Sequence, residues 1–537
     1  MAVKISVFSS LEKIFSCLPC PEKETDSLYL INGERGALQF VVESDEDVEA
    51  RIKVKSGIQV KLFRVDEIYS SYTIDDEREN CTVLNDAKPG YYPDLLSLVP
   101  DSISLERGKK AVFWLEVDST DVDKNGYSVE FAVECKDNTV SRTVNVYTAK
   151  EKLPAQQLKH MNWFHADCLA DFYKVEVFSE EFWRIVENFI KNAVSHGINC
   201  LLTPIFTPPL DTEEGGERTT VQLVGVTKKG YNYTFDFSKL DRWVDMAMRN
   251  GVQFFEISHL FTQWGAEYCP KIMATTSTGY RKIFGWENKA DSQGYKSFLR
   301  QFSVAFKEYT DKKGITDICF VHTSDEPNDD NIRTYAKASK ITHEYFSAYR
   351  DIDALSHFEI FELGLVGTPI PSERNIEEFK GKVENLWTYY CCGPIDDNAP
   401  NRFFCLPSIR NRILGVLLYK YDCEGFLHWG YNFYNSQYSK EHINPFEVSD
   451  AGGHFPSGDS YIVYPGENGQ PLSSLRQKVF YEGIQDISAL RLLEQQTSRE
   501  YALEFLEKHL GDINFTNYPL DNETFLSFRK ALVEEIK

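Results

Sequence analysis

Asp325 and Glu326 stand side by side in the segment FVHTSDEP (320–327), where an apolar strand runs into two acids and a proline. Neighbouring carboxyl groups cannot both ionise cheaply, so one is expected to hold a proton while the other stays negative. Such a pair can break an acetal bond, because one group protonates the leaving oxygen and the other stabilises the positive charge that develops on carbon. The two acids therefore indicate acid–base chemistry of the kind that cleaves glycosides.

Both acids reach one pocket only if the backbone departs from regular strand geometry, because consecutive strand residues face opposite sides. Pro327 favours such a departure since it withholds a hydrogen-bond donor, and it is expected to restrict Glu326 to extended conformations. A structural alternative is that the acids interact with the dipole of a following helix. For an Asp-Glu-Pro sequence considered without its surroundings, that structural role is the preferred interpretation. If the two acids instead lie at the carboxyl end of a central strand in a β/α barrel, catalysis is favoured.

Beyond residue 157, apolar segments, polar loops and amphipathic helices alternate, which is typical of a parallel α/β sheet or barrel. Strands are predicted at 161–164, 200–203, 254–257, 318–321, 356–361, 386–389, 425–429 and 461–464. Helices with apolar residues at three- and four-residue spacing are predicted at 180–196, 238–249, 293–310, 332–349, 409–421 and 474–494. The strand candidates predict an α/β fold with a closed, TIM-like (β/α)8 barrel, whose active site lies in the loops after the strands.

The region before this barrel has a different pattern. Short β-rich segments separated by turn residues lie at 37–42, 58–63, 111–117, 129–133 and 141–147. Closely spaced strands without intervening helices predict an antiparallel β-sandwich. We therefore expect a sandwich at 1–150, a catalytic barrel at 151–500 and a helical tail at 501–537 packed on the barrel.

Separated motifs surround the predicted active-site loops. They are WFHADCLAD (163–171), TPIFTPPLDT (203–212), HTSDEP (322–327), GFLHWGYNF (425–433) and YPG (464–466) leading to Leu475 and Arg476. Together they resemble glycoside hydrolase family 123 and its uncharacterised bacterial relatives. The likeness spans residues 163–490, and a sandwich followed by a barrel fits the architecture of that family.

The resemblance implies a retaining β-N-acetylgalactosaminidase that uses substrate-assisted catalysis. In that mechanism the 2-acetamido oxygen of the sugar attacks its own anomeric carbon, so an oxazoline-like intermediate forms without an enzyme nucleophile. By this analogy Asp325 polarises the acetamido nitrogen, while Glu326 protonates the leaving oxygen and later activates water. Adjacent carboxyls then suffice, without the roughly 5 Å opposed pair of ordinary retaining glycosidases. The expected partner is a carbohydrate, an N-acetylhexosaminide whose galacto or gluco identity stays open.

Ring-bearing and polar residues after the predicted strands are candidates for sugar binding. Tyr389 or Tyr390 could donate a hydrogen bond to the acetamido oxygen, and each could equally cap the barrel core. Trp429 is predicted to stack on the apolar face of the sugar, with Tyr431 and Asn432 following it at the strand end. Further candidates for binding hydroxyl groups, each with a structural role as the alternative, are His165, Asp167 and His259.

Two other functions stay open on the sequence. A conventional double displacement would pair Glu326 with a distant carboxylate such as Glu359 or Glu362, and a thiazoline analogue of an N-acetylhexosamine would not inhibit it. A non-catalytic carbohydrate-binding protein would use the sandwich instead. Its sugar binding would survive the substitution Glu326→Gln.

The composition excludes several classes of partner. The net charge of -23 repels phosphate backbones and anionic membranes, so neither nucleic acid nor a membrane is expected as a partner. No apolar run reaches the roughly 18 residues that a membrane span requires. The N-terminal apolar segment is interrupted by polar residues and lacks a cleavage site, so we expect a cytoplasmic protein.

The 12 cysteines are scattered through a long chain, which favours reduced thiols over a disulfide framework. Cys17 and Cys20 have CxxC spacing without a second pair, so no zinc site is expected. The adjacent Cys391 and Cys392 are interpreted as packing residues. No phosphate-binding glycine loop or HExxH motif occurs, and no metal or organic cofactor is expected.

Overall fold

The computed structural model describes residues 3–74, 80–123, 125–136 and 138–536. In the N-terminal region the strands are β1 (Val3–Ser9), β2 (Ser27–Asn32), β3 (Arg35–Ser44), β4 (Val48–Ser56), β5 (Gln59–Ser70), β6 (Gly90–Leu98), β7 (Ile103–Leu105), β8 (Lys110–Asp118), β9 (Gly126–Cys135) and β10 (Asn138–Lys152). These strands form two sheets with the orders β1-β3-β8-β5-β6 and β2-β10-β9-β4-β7. Neighbouring strands run antiparallel except β2 and β10, which pair in parallel.

The two sheets pack face to face, as predicted for a sandwich. Alternate residues of β9 and β10 point inward, so that Val129, Phe131 and Val133 meet Phe40 and Phe113 in a shared apolar core. The alternation in the sequence causes this arrangement, because successive strand residues face opposite sides of a sheet. The five sequence segments predicted as strands all lie within these two sheets.

The remaining elements follow in chain order. They are β11 (Lys159–Asn162), α1 (Ala166–Tyr173), α2 (Glu180–Ser195), β12 (Cys200–Thr203), β13 (Gly225–Lys229), β14 (Asn232–Asp236), α3 (Ser238–Arg249), β15 (Phe254–Ile257), β16 (Ile272–Thr276), β17 (Gly279–Phe284), α4 (Gln293–Lys313), β18 (Cys319–His322), α5 (Ile332–Tyr345), β19 (Arg350–Ala354), α6 (Phe358–Glu362), β20 (Thr368–Ile370), α7 (Ile376–Phe379), β21 (Trp387–Tyr389), α8 (Ile409–Lys420), β22 (Gly425–His428), β23 (Val463–Pro465), β24 (Pro471–Ser473), α9 (Leu475–Gln496), α10 (Arg499–Leu510) and α11 (Asn522–Glu535).

A parallel eight-stranded sheet forms the centre of this second region, in the order β20-β19-β18-β15-β12-β11-β22-β21. Its two outer strands approach each other through a parallel bridge between Ser372 and Tyr389. The backbone N–H of Tyr389 also donates to the carbonyl oxygen of Pro371 at 3.0 Å. The sheet is therefore a nearly closed barrel, which confirms the predicted fold class.

Two of the eight predicted strands are wrong. Residues 356–361 lie largely in helix α6, and residues 461–464 end in a small antiparallel hairpin of β23 and β24 outside the barrel sheet. The barrel instead uses β19 and β20, which the sequence pattern did not indicate. β19 alternates charged and apolar residues and β20 spans three residues, so neither resembles a continuous apolar strand. Tyr389 is consequently the last residue of the seventh barrel strand, and Trp429 follows the eighth.

Helices cover the outside of the barrel, and α2 shows why they form. The hydroxyl of Ser179 accepts a hydrogen bond from the backbone N–H of Phe182, which caps the helix. Phe182, Ile185, Phe189 and Ala193 recur at three- and four-residue spacing and are buried against the sheet. Helix α11 contacts both α9 and strand β2, so the C-terminal tail lies against the barrel helices and the sandwich. Among the described residues, no helix is long and apolar enough to cross a membrane.

A buried ion pair joins the sandwich to the barrel. Asp94 of β6 accepts hydrogen bonds from Arg476 of α9 at 2.8 and 2.9 Å, and from the hydroxyl of Tyr464 at 2.5 Å. The side chains of Asp94 and Arg476 are almost fully buried, with 1% and 2% of their surface exposed. Removing one partner of such a pair leaves an uncompensated charge in the interior, so the contact fixes the two domains relative to each other.

We expect Asp94→Ala to lower the free energy of unfolding by about 3–5 kcal/mol, because Arg476 would remain buried and unpaired. Urea unfolding followed by circular dichroism measures this loss. Glu134→Ala, which removes the exposed pair between Lys53 and Glu134, is the matched control and should cost about 0–1 kcal/mol. Equal losses in the two variants would show that the buried pair does not stabilise the domain junction.

Candidate active site

Asp325 and Glu326 lie three and four residues beyond the end of β18, at the carboxyl end of the barrel. The backbone leaves strand geometry there, as predicted, because Glu326 has a φ angle of 46°. This value lies in the left-handed region, so the expectation that Pro327 holds Glu326 in an extended conformation was wrong. A non-glycine residue in this region is strained by about 1–3 kcal/mol, and such strain is concentrated at functional sites.

Both acids line one cavity of about 110 Å³. Its other lining residues are Trp163, His165, Leu210, Asp211, Gln263, Trp264, Ala354, Tyr389, Cys391, Cys392, Leu427, Trp429 and Phe455. The walls are thus mainly aromatic and apolar, with a few polar groups that converge on the acids. A concave site of this composition suits a ligand with an apolar face and several hydroxyl groups.

Each acid has its own hydrogen-bond donor. The side-chain N–H of Gln263 donates to Asp325 at 2.8 Å, and the hydroxyl of Tyr389 donates to Glu326 at 2.6 Å. Burial, followed by the nearby charge of Glu326, raises the pKa of Asp325 well above its usual value. Burial and the neighbouring carboxyl group therefore both favour the protonated form of Asp325.

A fully buried hydrogen-bond network around His322 lies next to Asp325. The imidazole nitrogens of His322 are 2.8 Å from Glu256 and 3.1 Å from Asp353. Glu256 also accepts the indole N–H of Trp163 at 2.9 Å. One nitrogen of His322 and carboxylate oxygens of Asp325 and Asp353 all lie within 4.8 Å of one another.

The charge of His322 follows from these contacts. Burial alone would lower its pKa, but the carboxylates of Asp353 and Glu256 outweigh burial and raise the pKa to about 10. The protonated ring donates to both carboxylates and keeps no nitrogen lone pair for a metal ion. His322 is thus a permanent cation beside Asp325, and it opposes the rise in the pKa of that acid.

The second carboxylate of this network also positions the catalytic loop. Asp353 accepts hydrogen bonds from the backbone N–H of Ser324 at 3.1 Å and from the hydroxyl of Tyr335 at 2.7 Å. The hydroxyl of Ser324 donates to the carbonyl oxygen of Thr262 at 2.7 Å. The residue before the acid pair is therefore held on two sides, which fixes where Asp325 enters the cavity.

Five of the residues predicted to bind substrate lie elsewhere in the structure than on the cavity wall, and His259 is one of them. Its ring stacks on His322 at 4.0 Å and is fully buried. The carboxylate of Asp167 receives two hydrogen bonds from Arg218, at 2.7 and 2.8 Å. The side chain of Asn432 exchanges two hydrogen bonds with the backbone of His165, and Tyr431 donates to the carbonyl of Phe189. These side chains support the wall instead of forming it.

Of the two candidate tyrosines, only Tyr389 lines the cavity. Tyr390 points away from it and approaches Asn411, with an oxygen–oxygen distance of 3.4 Å. His165 and Trp429 do line the cavity, where His165 bonds the carbonyl oxygen of Trp429 at 2.9 Å. The indole N–H of Trp429 donates to the buried carboxylate of Asp459 at 3.0 Å, which orients the ring.

Sequence reasoning missed several residues of this site. Gln263 and Trp264 follow β15 at the cavity, and Asp211 lies within the motif 203–212. Burial raises the pKa of Asp211 to about 6. The signal for Asp211 was present in that motif, whereas Gln263 carried none, because a single glutamine in a loop has no characteristic spacing. Glu359 and Glu362, the alternative partners of Glu326, lie exposed on α6 and do not line the cavity.

The sequence profile of the glycoside hydrolase 123 catalytic domain matches residues 163–493. A family 123 glycoside hydrolase from Clostridium perfringens, studied for the details of glycolipid glycan hydrolysis, is similar in structure with a TM-score of 0.74 and 14% identity. That match covers 100% of this chain and 97% of the other.

A second solved structure, Bacteroides uniformis β-glucuronidase 2, gives a TM-score of 0.32 at 10% identity, covering 86% of this chain and 48% of that chain, and carries no inference. A comparison with curated proteins found no match. The Clostridium structure supports the fold, and the profile match spans more than half of the chain and includes both cavity acids. The chain belongs to glycoside hydrolase family 123.

Proposed function

We propose that this glycoside hydrolase removes terminal β-linked N-acetylgalactosamine by substrate-assisted catalysis. The observation that carries the proposal is that Asp325 and Glu326 line the same cavity while the other candidate carboxylates, Glu359 and Glu362, do not. Two adjacent acids on one side of a sugar cannot act as an opposed nucleophile and acid, but they can assist an internal nucleophile. The acetamido oxygen of the substrate is that nucleophile.

In the first step the acetamido oxygen attacks the anomeric carbon and the glycosidic bond breaks. Glu326 gives its proton to the leaving oxygen, while the carboxylate of Asp325 accepts the acetamido N–H and stabilises the positive oxazoline-like ring. In the second step Glu326 takes a proton from water, which opens the ring from the same side. The anomeric configuration is therefore retained, and both acids return to their starting states.

The mechanism requires a charged Asp325 and a protonated Glu326 once substrate is bound, although burial by itself favours the proton on Asp325. Hydrogen bonding to a carboxylate favours its charged form, so the acetamido N–H draws the negative charge onto Asp325. The cation of His322 favours the same state, since it lies within 4.8 Å of Asp325. Substrate recognition thus favours the proton on Glu326, the group that must donate it.

The cavity wall supports a sugar with an acetamido group. The hydroxyl of Tyr389 already points at the acids and can move to the acetamido oxygen, while Trp429 offers a ring for the apolar face of the sugar. Asp211 is the wall group best placed to bind a hydroxyl, since both ring nitrogens of His165 are already bonded, to Trp429 and to Arg218. The identity of the sugar follows the family resemblance, and the Clostridium relative studied for glycolipid glycan hydrolysis supports glycans of that class as substrates.

We expect Glu326→Gln to lower kcat by about 10²–10⁴ on an N-acetylgalactosamine-terminated oligosaccharide, because protonation of the leaving oxygen is lost. The loss should be smaller on nitrophenyl N-acetyl-β-galactosaminide, whose leaving group needs little protonation. Asp325→Asn should lower kcat on both substrates alike. Steady-state rates on the two substrates measure the difference, with Glu359→Gln as a control that leaves both rates unchanged.

A thiazoline analogue of N-acetylgalactosamine should inhibit the wild type competitively, because it resembles the cyclic intermediate. Absence of inhibition, together with loss of activity in Glu359→Gln, would favour a conventional double displacement. Sugar binding without turnover on any nitrophenyl N-acetylhexosaminide would favour a carbohydrate-binding protein.

We expect Tyr389→Phe to lower kcat/KM by a factor of about 10–100, because one hydrogen bond to a charged group contributes about 1.5–3 kcal/mol. Tyr390→Phe is the matched control, since the neighbouring hydroxyl faces Asn411 outside the cavity and its loss should leave kcat/KM unchanged. Michaelis–Menten kinetics of both variants test the assignment. Equal effects would remove Tyr389 from the mechanism.

We expect His322→Gln to move both limbs of the pH profile of kcat/KM to higher pH, because losing a nearby cation makes proton release from the acid pair harder. For a charge separation of 4.8 Å or less and an effective dielectric constant near 20, the shift is about 2.5 pH units or more. Tyr335→Phe is the control, since it removes one hydrogen bond to Asp353 and keeps the cation. An unshifted profile in His322→Gln would contradict the electrostatic role of His322.

A further inference from the structure

Two adjacent thiols lie on the wall of the catalytic cavity. Cys391 and Cys392 follow Tyr390 in the chain, are partly exposed, and line the same cavity as Glu326. Both are predicted from the sequence to be packing residues, and the proposed reaction does not use them. Their exposure to the cavity makes them accessible to anything that enters it.

The two thiols are held close together. A hydrogen bond with Cys392, followed by burial, raises the pKa of Cys391 well above its usual value. The side chain of Asn401 donates to the carbonyl oxygens of Cys391 and Pro394 at 2.9 and 3.0 Å. The segment that carries the thiols is thus fixed at its backbone, which reduces the ordering cost of binding one ligand through both thiols.

The other cysteines differ in position. Cys17 and Cys20 are spaced for joint binding but lie between β1 and β2, away from the catalytic cavity. The cysteines that are buried and out of reach of a solvent-borne reagent are Cys168, Cys200, Cys269, Cys319, Cys405 and Cys423. The chain therefore offers one accessible adjacent pair at the site and one remote pair for comparison.

Building on the proposed function, we propose that Cys391 and Cys392 form a bidentate site for a thiophilic group of the trivalent-arsenic class, and that occupying it closes the catalytic cavity. Cysteine sulfur is a soft ligand and binds preferentially to soft metal and metalloid centres. With an arsenoxide, two arsenic–sulfur bonds form and the arsenic–oxygen double bond breaks. Both thiol protons leave with that oxygen as water, and no oxidation or reduction takes place.

An adduct on Cys391 and Cys392 should exclude the sugar because the cavity is small. The cavity measures about 110 Å³, and an apolar cavity of about 150 Å³ holds one benzene molecule. An aryl group attached through arsenic would therefore fill most of the space beside Glu326. The closure is steric, so it requires no change in the acids themselves.

Phenylarsine oxide is the probe. Wild type, Cys391→Ser/Cys392→Ser and the control Cys17→Ser/Cys20→Ser are treated with one equivalent, and the adduct is located by peptide mass spectrometry. We expect an adduct on the 391–392 peptide and loss of most nitrophenyl N-acetylhexosaminidase activity in the wild type and the control. The Cys391→Ser/Cys392→Ser variant should keep its own untreated rate. Dimercaptopropanol should restore activity, whereas an equal excess of monothiol should not.

Adduct formation at Cys17 and Cys20 alone, or an adduct at 391–392 that leaves the rate unchanged, would overturn the proposal. Failure of the proposed function has a different signature. In that case the adduct forms at 391–392, but untreated wild type cleaves no nitrophenyl N-acetylhexosaminide. That outcome would retain the thiol site and refute both cavity closure and the hydrolase assignment for this sugar class.

Discussion

The imidazolium of His322, held between the buried carboxylates of Glu256 and Asp353, is the interaction on which the catalytic end of the barrel depends. At most 1% of the surface of each of the three side chains is exposed. Buried charges are tolerated only when they are paired and hydrogen-bonded, and here each carboxylate also accepts a second donor. Removing the cation would leave two carboxylates and Asp325 together in the barrel interior. The network therefore favours the anionic form of Asp325, which the proposed mechanism requires, in an apolar surrounding.

The barrel supplies this network through strand register. Glu256 lies on β15, His322 on β18 and Asp353 on β19, which are consecutive neighbours in the sheet. The parallel pairing sets Glu256 opposite Phe320 and His322 opposite Ile352, so Asp353 comes directly after the partner of His322, and side-chain hydrogen bonds join the three residues across neighbouring strands. A shift of one residue would turn a strand's side chains to the other face and separate the pair. The geometry of the acids thus depends on backbone pairing several residues away from them.

This dependence explains what the sequence could predict. The acid pair, the sandwich and the first four barrel strands follow from local patterns, because each has a period or a spacing of its own. Asp353 could not be found in that way, since β19 contains two aspartates and its sequence resembles a polar loop. Only the structure shows that the carboxylate of Asp353 is bonded to His322. The same limit applies to His259 and Asp167, which stand at strand ends like cavity residues. Whether such a side chain faces the cavity or a neighbour depends on three-dimensional packing.

The left-handed backbone at Glu326 connects these constraints to the chemistry. In an extended conformation, Asp325 and Glu326 would point to opposite sides, and one of them would leave the cavity. The φ angle of 46° brings both carboxyls to one cavity, where Gln263 and Tyr389 bind them separately. Such strain persists only where several surrounding contacts hold the backbone in place. Here the loop is held by the hydrogen bonds of Ser324 and by the hydrogen bonds from Gln263 and Tyr389 to the two acids. The conformation that the following proline disfavours is therefore the one that the proposed mechanism requires, in which adjacent residues divide the roles of acid and stabilising anion.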